Sequence, residues 1–168
     1  PLLLRGEPGM RADLFARFTC GPGAPFVTGD TLGSEPPADL LARASGGVLF
    51  LADLGKFGRN ERRNAMFALD RAPSAKVRIV SFASQEPKAL VVHHEFEPEL
   101  AGRLSELSLR LPPLREFAED VPDLATLMLA QLVESRACPP RKLSTSALNA
   151  LRHRPWAGNL AELEWAVK

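Results

Sequence analysis

Short apolar runs alternate with segments of helical period through Pro113, and beyond Pro112-Pro113 the runs stop. Pro1 to Arg5 is apolar and breaks into Gly6-Glu7-Pro8-Gly9, after which Leu14, Phe15 and Phe18 recur at helical spacing. Glycine and proline crowd Gly21 to Pro25, and a short helix is predicted over Asp39 to Arg43. Val48 to Leu51 reads as a second strand. Asn60 to Leu69 reads as a helix with Ala65, Met66 and Leu69 on one face, and the β-branched run Lys76 to Phe82 as a third strand. This alternation predicts an α/β fold with a parallel sheet flanked by helices. Val121 to Ser135, Ser144 to Arg152 and Asn159 to Lys168 all read as helices, with Ser144 placed to cap the middle one. The expected organisation is an α/β subdomain over residues 1–113 and a small α-helical subdomain over 114–168.

A chain of 168 residues, 45% hydrophobic and 24% charged, is long enough to bury one core with a satellite. Lys and Arg total 21 against 20 for Asp and Glu, so no net charge drives binding to nucleic acid or to an anionic membrane. Gly47-Val48-Leu49-Phe50-Leu51-Ala52 is strand-length, and no run is long enough to span a bilayer or to serve as a signal peptide. Cys20 and Cys138 match no metal spacing and are expected to be reduced thiols of a cytoplasmic protein. His93-His94 has no nearby cysteine partner and reads as solvated, so no metal site is expected.

A loop between a first strand and its helix, at the carboxyl end of a parallel sheet, is where backbone N–H groups normally hold phosphates. Gly6 to Gly9 occupies that place. Alone it is a weak signal, and the order of later segments strengthens it. Gly6 to Asp13, Gly46 to Asp53, Leu111 to Glu116 and Trp156 to Leu163 follow one another as do the motifs Gly-Glu-Pro-Gly-Thr-Gly-Lys-Glu, Gly-Gly-Thr-Leu-Phe-Leu-Asp-Glu, Leu-Pro-Pro-Leu-Arg-Glu and Trp-Pro-Gly-Asn-Val-Arg-Glu-Leu. In these motifs the chain resembles the AAA+ domain of the sigma-54 activators, the bacterial enhancer-binding proteins. Val77 to Ser84 resembles the family's sensor I strand, and Glu95 to Leu104 its arginine-finger segment. The resemblance implies an AAA+ nucleotide-binding subdomain followed by a helical lid. It also implies a longer natural protein, in which DNA is bound through a domain outside this chain.

The same comparison implies that the nucleotide site is vestigial. Its phosphate-loop positions are Gly6, Glu7, Pro8, Gly9, Met10, Arg11, Ala12 and Asp13, with Ala12 where the family has its phosphate-binding lysine and Arg11 where it has a glycine. Arg11 either supplies the lost charge from a different stem or is simply solvated. Ala52 replaces the Mg-associated aspartate and Asp53 the catalytic glutamate. Asp53 is expected either to keep a weak water-orienting role or, as the blander alternative, to cap a helix or lie solvated. Ser84 stands for the sensor I asparagine, Glu97 for the first arginine finger, Arg103 for the second, and Ala161 for the sensor II arginine. Each lost charge-assisted contact is worth about 1.5–3 kcal/mol, so binding of ATP and Mg is expected to be weak or absent and hydrolysis is not expected.

The interval between Pro25-Phe26-Val27 and Gly46-Gly47 is short and lacks the Gly-Ala-Phe-Thr-Gly-Ala insertion that family members use on sigma-54. Contact with sigma-54 is therefore not expected. The resulting expectation is a pseudo-ATPase scaffold or oligomerisation module that associates with itself or with other regulator subunits. The alternatives are a non-hydrolysing sensor of nucleotides or cyclic dinucleotides, contacting them through Gly9, Arg11 and Arg103, and, last, a working ATPase.

Overall fold

The computed structural model describes residues 1–93 and 95–168; His94 lies outside the described residues. Two compact units are present, one of residues 1–6 and 12–111 and the other of residues 7–11 and 112–168.

The first unit is built on a parallel sheet. Its strands are β1 (Leu2–Arg5), β2 (Phe26–Thr28), β3 (Val48–Leu51), β4 (Arg78–Ala83) and β5 (Ser108–Arg110), in the spatial order β2-β3-β4-β1-β5. β1 lies inside the sheet, with Leu3 paired to Ser81 on one side and to Ser108 on the other. All four residues of β3 are buried, as are the last five of β4, which is the pattern of strands covered on both faces. The surrounding helices are α1 (Ala12–Phe18), α2 (Pro37–Arg43), α3 (Arg59–Ala75), α4 (Pro87–His93) and α5 (Pro98–Leu104). Leu3, Leu49, Leu51, Ile79, Leu90, Leu100 and Leu104 join the alanines of α3 in one continuous core.

Several sequence expectations are corrected. In α1 the buried residues are Ala12 and Ala16, whereas Phe18 is 89% exposed and Leu14 38% exposed. Small residues one turn apart let this helix approach the sheet closely, so the bulky side chains point away. The core stripe of α3 is Ala65, Ala68, Leu69 and Ala72, with Met66 only half-buried beside it. The third apolar run forms β4 from Arg78 rather than Lys76, because Lys76 turns left-handed (φ 54°) to end α3. β2 and β5 were not expected: each has three residues, too few to show a period, and β5 is exposed throughout.

In the second unit a 3₁₀ segment over Leu114–Asp120 leads into α6 (Val121–Glu134), followed by α7 (Thr145–Arg152) and α8 (Asn159–Val167). Val121, Ala125 and Leu129 form the buried stripe of α6, and Leu160, Leu163 and Val167 that of α8. Ser144 caps α7, its hydroxyl accepting from the Ala147 N–H at 3.2 Å. Trp156 is fully buried, and its indole N–H donates to the Leu151 carbonyl at 2.8 Å. No helix among the described residues is long and apolar enough to cross a membrane.

Leu49 is fully buried in the middle of the sheet, while Leu109 on the edge strand is 53% exposed. Leu49→Ala is expected to lower unfolding stability by about 2–5 kcal/mol, and Leu109→Ala by under about 0.5 kcal/mol, in parallel denaturant titrations.

Candidate functional site

The loop that the sequence marks out for phosphates, Glu7 to Arg11, is part of the helical unit. Its attachment begins with charge. Arg115 grips the Glu7 carboxylate with both guanidinium branches, at 2.6 and 2.7 Å, in the two-pronged geometry that gives arginine–carboxylate pairs their specificity. Glu7 in turn holds Arg115 above its already high ordinary pKa through that bond.

Asn159 is the polar centre of the arrangement. It is fully buried, with a left-handed backbone (φ 52°), a conformation that asparagine tolerates better than most residues. Its side-chain oxygen accepts from the Leu114 N–H at 2.9 Å, and its amide donates to the Pro8 carbonyl at 3.0 Å and to Glu7 Oε2 at 3.3 Å. One side chain thus joins the loop, the start of the 3₁₀ segment and the first turn of α8.

The tip of the loop rests directly on α8. Gly9 has φ 81°, its carbonyl accepts from the Ala161 N–H at 2.9 Å, and a Cβ placed on it would collide with the Gly158 carbonyl oxygen. Only glycine fits this approach. Met10 is buried. Arg11 takes a left-handed conformation (φ 50°), so the backbone shape favoured by glycine is kept with a side chain added. That side chain forms an ion pair with Glu164 of α8, which also accepts from Lys168 at 2.9 Å. Lys168 and Arg11 together hold Glu164 below the usual carboxylate range. The start of α8 is tied by Glu162, whose carboxylate accepts from the Gly158 N–H at 2.8 Å and pairs with Arg154 at 2.8 Å. The Gly158 N–H, with help from Arg154, also holds Glu162 below that range.

The other marked residues, Ala161 of α8 apart, fall in the α/β unit. Ala12 is buried in the first turn of α1, where it packs instead of projecting a charge, and Asp13 follows it in that turn. Ala52 is exposed just beyond β3. Asp53 occupies the N-cap position of a 3₁₀ turn over Leu54–Lys56 with φ 50°, but its side chain makes no capping bond, which corrects the capping alternative. It pairs instead with Lys56 at 2.6 Å and raises the lysine's pKa. Ser84 is exposed immediately after β4, and Glu97 is the backbone N-cap of α5. Arg103 on α5 reaches Asp70 of α3 at 2.6 Å and the Met66 sulfur at 3.4 Å. Ala161 contributes a backbone amide to the loop and no side-chain polar group. Asp70, Glu164 and Asn159 are the partners that sequence reasoning did not single out. Among the described residues no cluster of His, Cys, Asp or Glu could hold a metal ion.

A five-stranded parallel sheet with this strand order, followed by a helical unit that holds the loop after β1, defines a protein of the AAA+ class. The match to a family model is specific. Residues 1–114 match the sigma-54 interaction domain and residues 115–168 the AAA+ ATPase lid domain, and the chain belongs to this family. It is 33% identical to the alginate biosynthesis transcriptional regulatory protein AlgB of Pseudomonas aeruginosa, over 96% of the chain and 37% of that protein. It is 35% identical to the DNA-binding transcriptional regulator NtrC of a Bradyrhizobium species, over 73% of the chain and 27% of that protein. The chain therefore spans well under half the length of these relatives. In fold it is similar to NtrX of Brucella abortus, crystallised in complex with ATP, with a TM-score of 0.77 at 24% identity over 99% of the chain and 45% of NtrX. Domain III of the Thermotoga maritima replication initiation protein DnaA is similar at a TM-score of 0.63 and 18% identity, over 99% of the chain and 73% of that structure.

Asn159→Ala leaves the buried Leu114 N–H and the partly buried Pro8 carbonyl without their partner, and is expected to cost about 1–3 kcal/mol in denaturant unfolding. Glu162 predicts a pH dependence as well. Its pKa is lower folded than unfolded, so its contribution is present above the unfolded value near about 4.3 and is lost as pH falls through the folded value. Thermal midpoints measured from neutrality down to about pH 3 are expected to fall less steeply for Glu162→Gln than for the parent chain.

Proposed function

We propose that this chain is a catalytically silent AAA+ domain of a sigma-54-activator-type transcription regulator, retained as a scaffold for self-association or for regulation of the protein that contains it. The observation that carries this reading is the condition of the loop. Gly9, within the loop that a phosphate would need to approach, lies against the Gly158 carbonyl, and Arg11 is engaged by Glu164. The residues that would supply charge are absent or engaged. Position 12 is a buried alanine, position 52 an exposed alanine and position 161 an alanine whose amide is bonded to Gly9. Asp53 is paired with Lys56, and Arg103 with Asp70. A ligand drawing on Arg11 and Arg103 would have to break existing ion pairs, which weighs against the sensor reading.

The retained apolar pattern has a different message. Leu3, Leu49, Leu51 and Ile79 keep a complete core beneath these substitutions, as expected of a chain selected to fold and to present surfaces. Sigma-54 is not a partner on this reading, since α2 and its flanking turns fill the interval between β2 and β3 with no long insertion. DNA is reached through a domain outside this chain.

Isothermal titration with ATP, ADP and cyclic di-GMP, with and without Mg, tests the reading. No heat of binding is expected at ligand concentrations up to about 1 mM, the regime in which binding is worth no more than about 4 kcal/mol. Micromolar binding without turnover would establish the sensor reading instead. ATP turnover abolished by Asp53→Ala would overturn the silent assignment altogether.

A further inference from the structure

We infer that the loop Glu7 to Arg11 acts as a built-in ligand of helix α8, clamped there by the Arg11–Glu164 pair, so that its attachment is constitutive. The inference deepens the catalytically silent reading, and rests on it only in holding that no nucleotide controls the clamp.

The loop meets α8 through direct contacts. The Gly9 carbonyl meets the Ala161 N–H at 2.9 Å, and the Gly9 α-carbon lies so close to the Gly158 carbonyl that even a methyl group would not fit. Pro8 is held at its carbonyl by Asn159 at 3.0 Å, and Glu7 is held by Arg115. These bonds fix the beginning and middle of the loop. At its end, Arg11 alone supplies a side-chain charge, and that charge goes to α8.

Position 11 is the informative one. Its left-handed backbone (φ 50°) is one that a bulky side chain disfavours, so placing arginine there costs about 1 kcal/mol relative to glycine. Glu164 is set to receive it. It lies on α8 one turn beyond Leu160 and is also bonded by Lys168, so one carboxylate gathers two cations. The side chains of Arg11 and Glu164 are 34% and 30% exposed, which shields the pair from water more than a surface pair is shielded. An arginine in an unfavourable backbone state with a receptive carboxylate opposite is an arrangement that holds the loop in place.

Amide exchange at single-residue resolution tests this, read at the Ala161 N–H, which bonds to the loop, and at the Leu148 N–H, which bonds to Ser144 within the α7 cap. Arg11→Met keeps the stem and removes the charge, and Glu164→Gln removes the partner. Each change is expected to speed exchange at Ala161 roughly 3- to 10-fold, to leave Leu148 unchanged, and to have no further effect when the two are combined. Addition of ATP and Mg to the parent chain is expected to leave the Ala161 rate unchanged. Independent, multiplying effects of the two substitutions would overturn the clamp, as would equal acceleration at Ala161 and Leu148 or no acceleration at all. Slower exchange at Ala161 on adding nucleotide would overturn constitutive attachment, and calorimetry separately decides whether nucleotide binds.

Discussion

A single buried amide organises the helical unit. Asn159 has no solvent to turn to, so each of its polar atoms must find a partner inside the protein, and it finds them in Leu114, Pro8 and Glu7. Those partners come from segments far apart in sequence, which is why so much depends on one residue. The loop end near Glu7 is then set for Arg115, and the tip is set for the Ala161 amide. If Asn159 were apolar, the unit would bury unmatched backbone groups at the place where its chain segments converge.

Around that centre the charged side chains follow one rule. Three charged side chains at the positions of interest are satisfied by neighbours within their own unit: Arg11 by Glu164, Arg103 by Asp70, Asp53 by Lys56. Such pairs contribute modestly to stability when half-exposed, but they fix side-chain direction. A guanidinium already bonded at 2.6 Å to Asp70 is poorly placed to serve an external anion. These side chains contribute to internal cohesion.

Much of the fold was legible because its signals are collective. The continuous apolar run at Val48 to Leu51 and the helical period beyond Val121 each involve several residues, and Ser144 announced its cap through a local rule. Elements of three residues gave no such signal, so β2 and β5 were invisible, and the packing face of α1 was hidden because it is made of alanine. The residues at the family-motif positions could be located by their order along the chain. Their present partners could not: Glu164 lies 153 positions from Arg11 and Asp70 lies 33 from Arg103, and no periodicity links residues across such separations. Asn159 was read only as the start of a helix and as part of the Trp156 to Leu163 motif, and the three-dimensional arrangement shows it to be interior.

The left-handed backbone at Arg11 carries a consequence for the history of the loop. The main chain still has the turn that a glycine would make, although the residue there is arginine, so shape and chemistry have parted company. A backbone already shaped for glycine leaves a short route to that residue. Glycine at this position would relax the local strain and leave Glu164 to Lys168, so such a replacement would not have to pass through a badly unstable intermediate. On the catalytically silent reading proposed above, the framework for such a change is already in place.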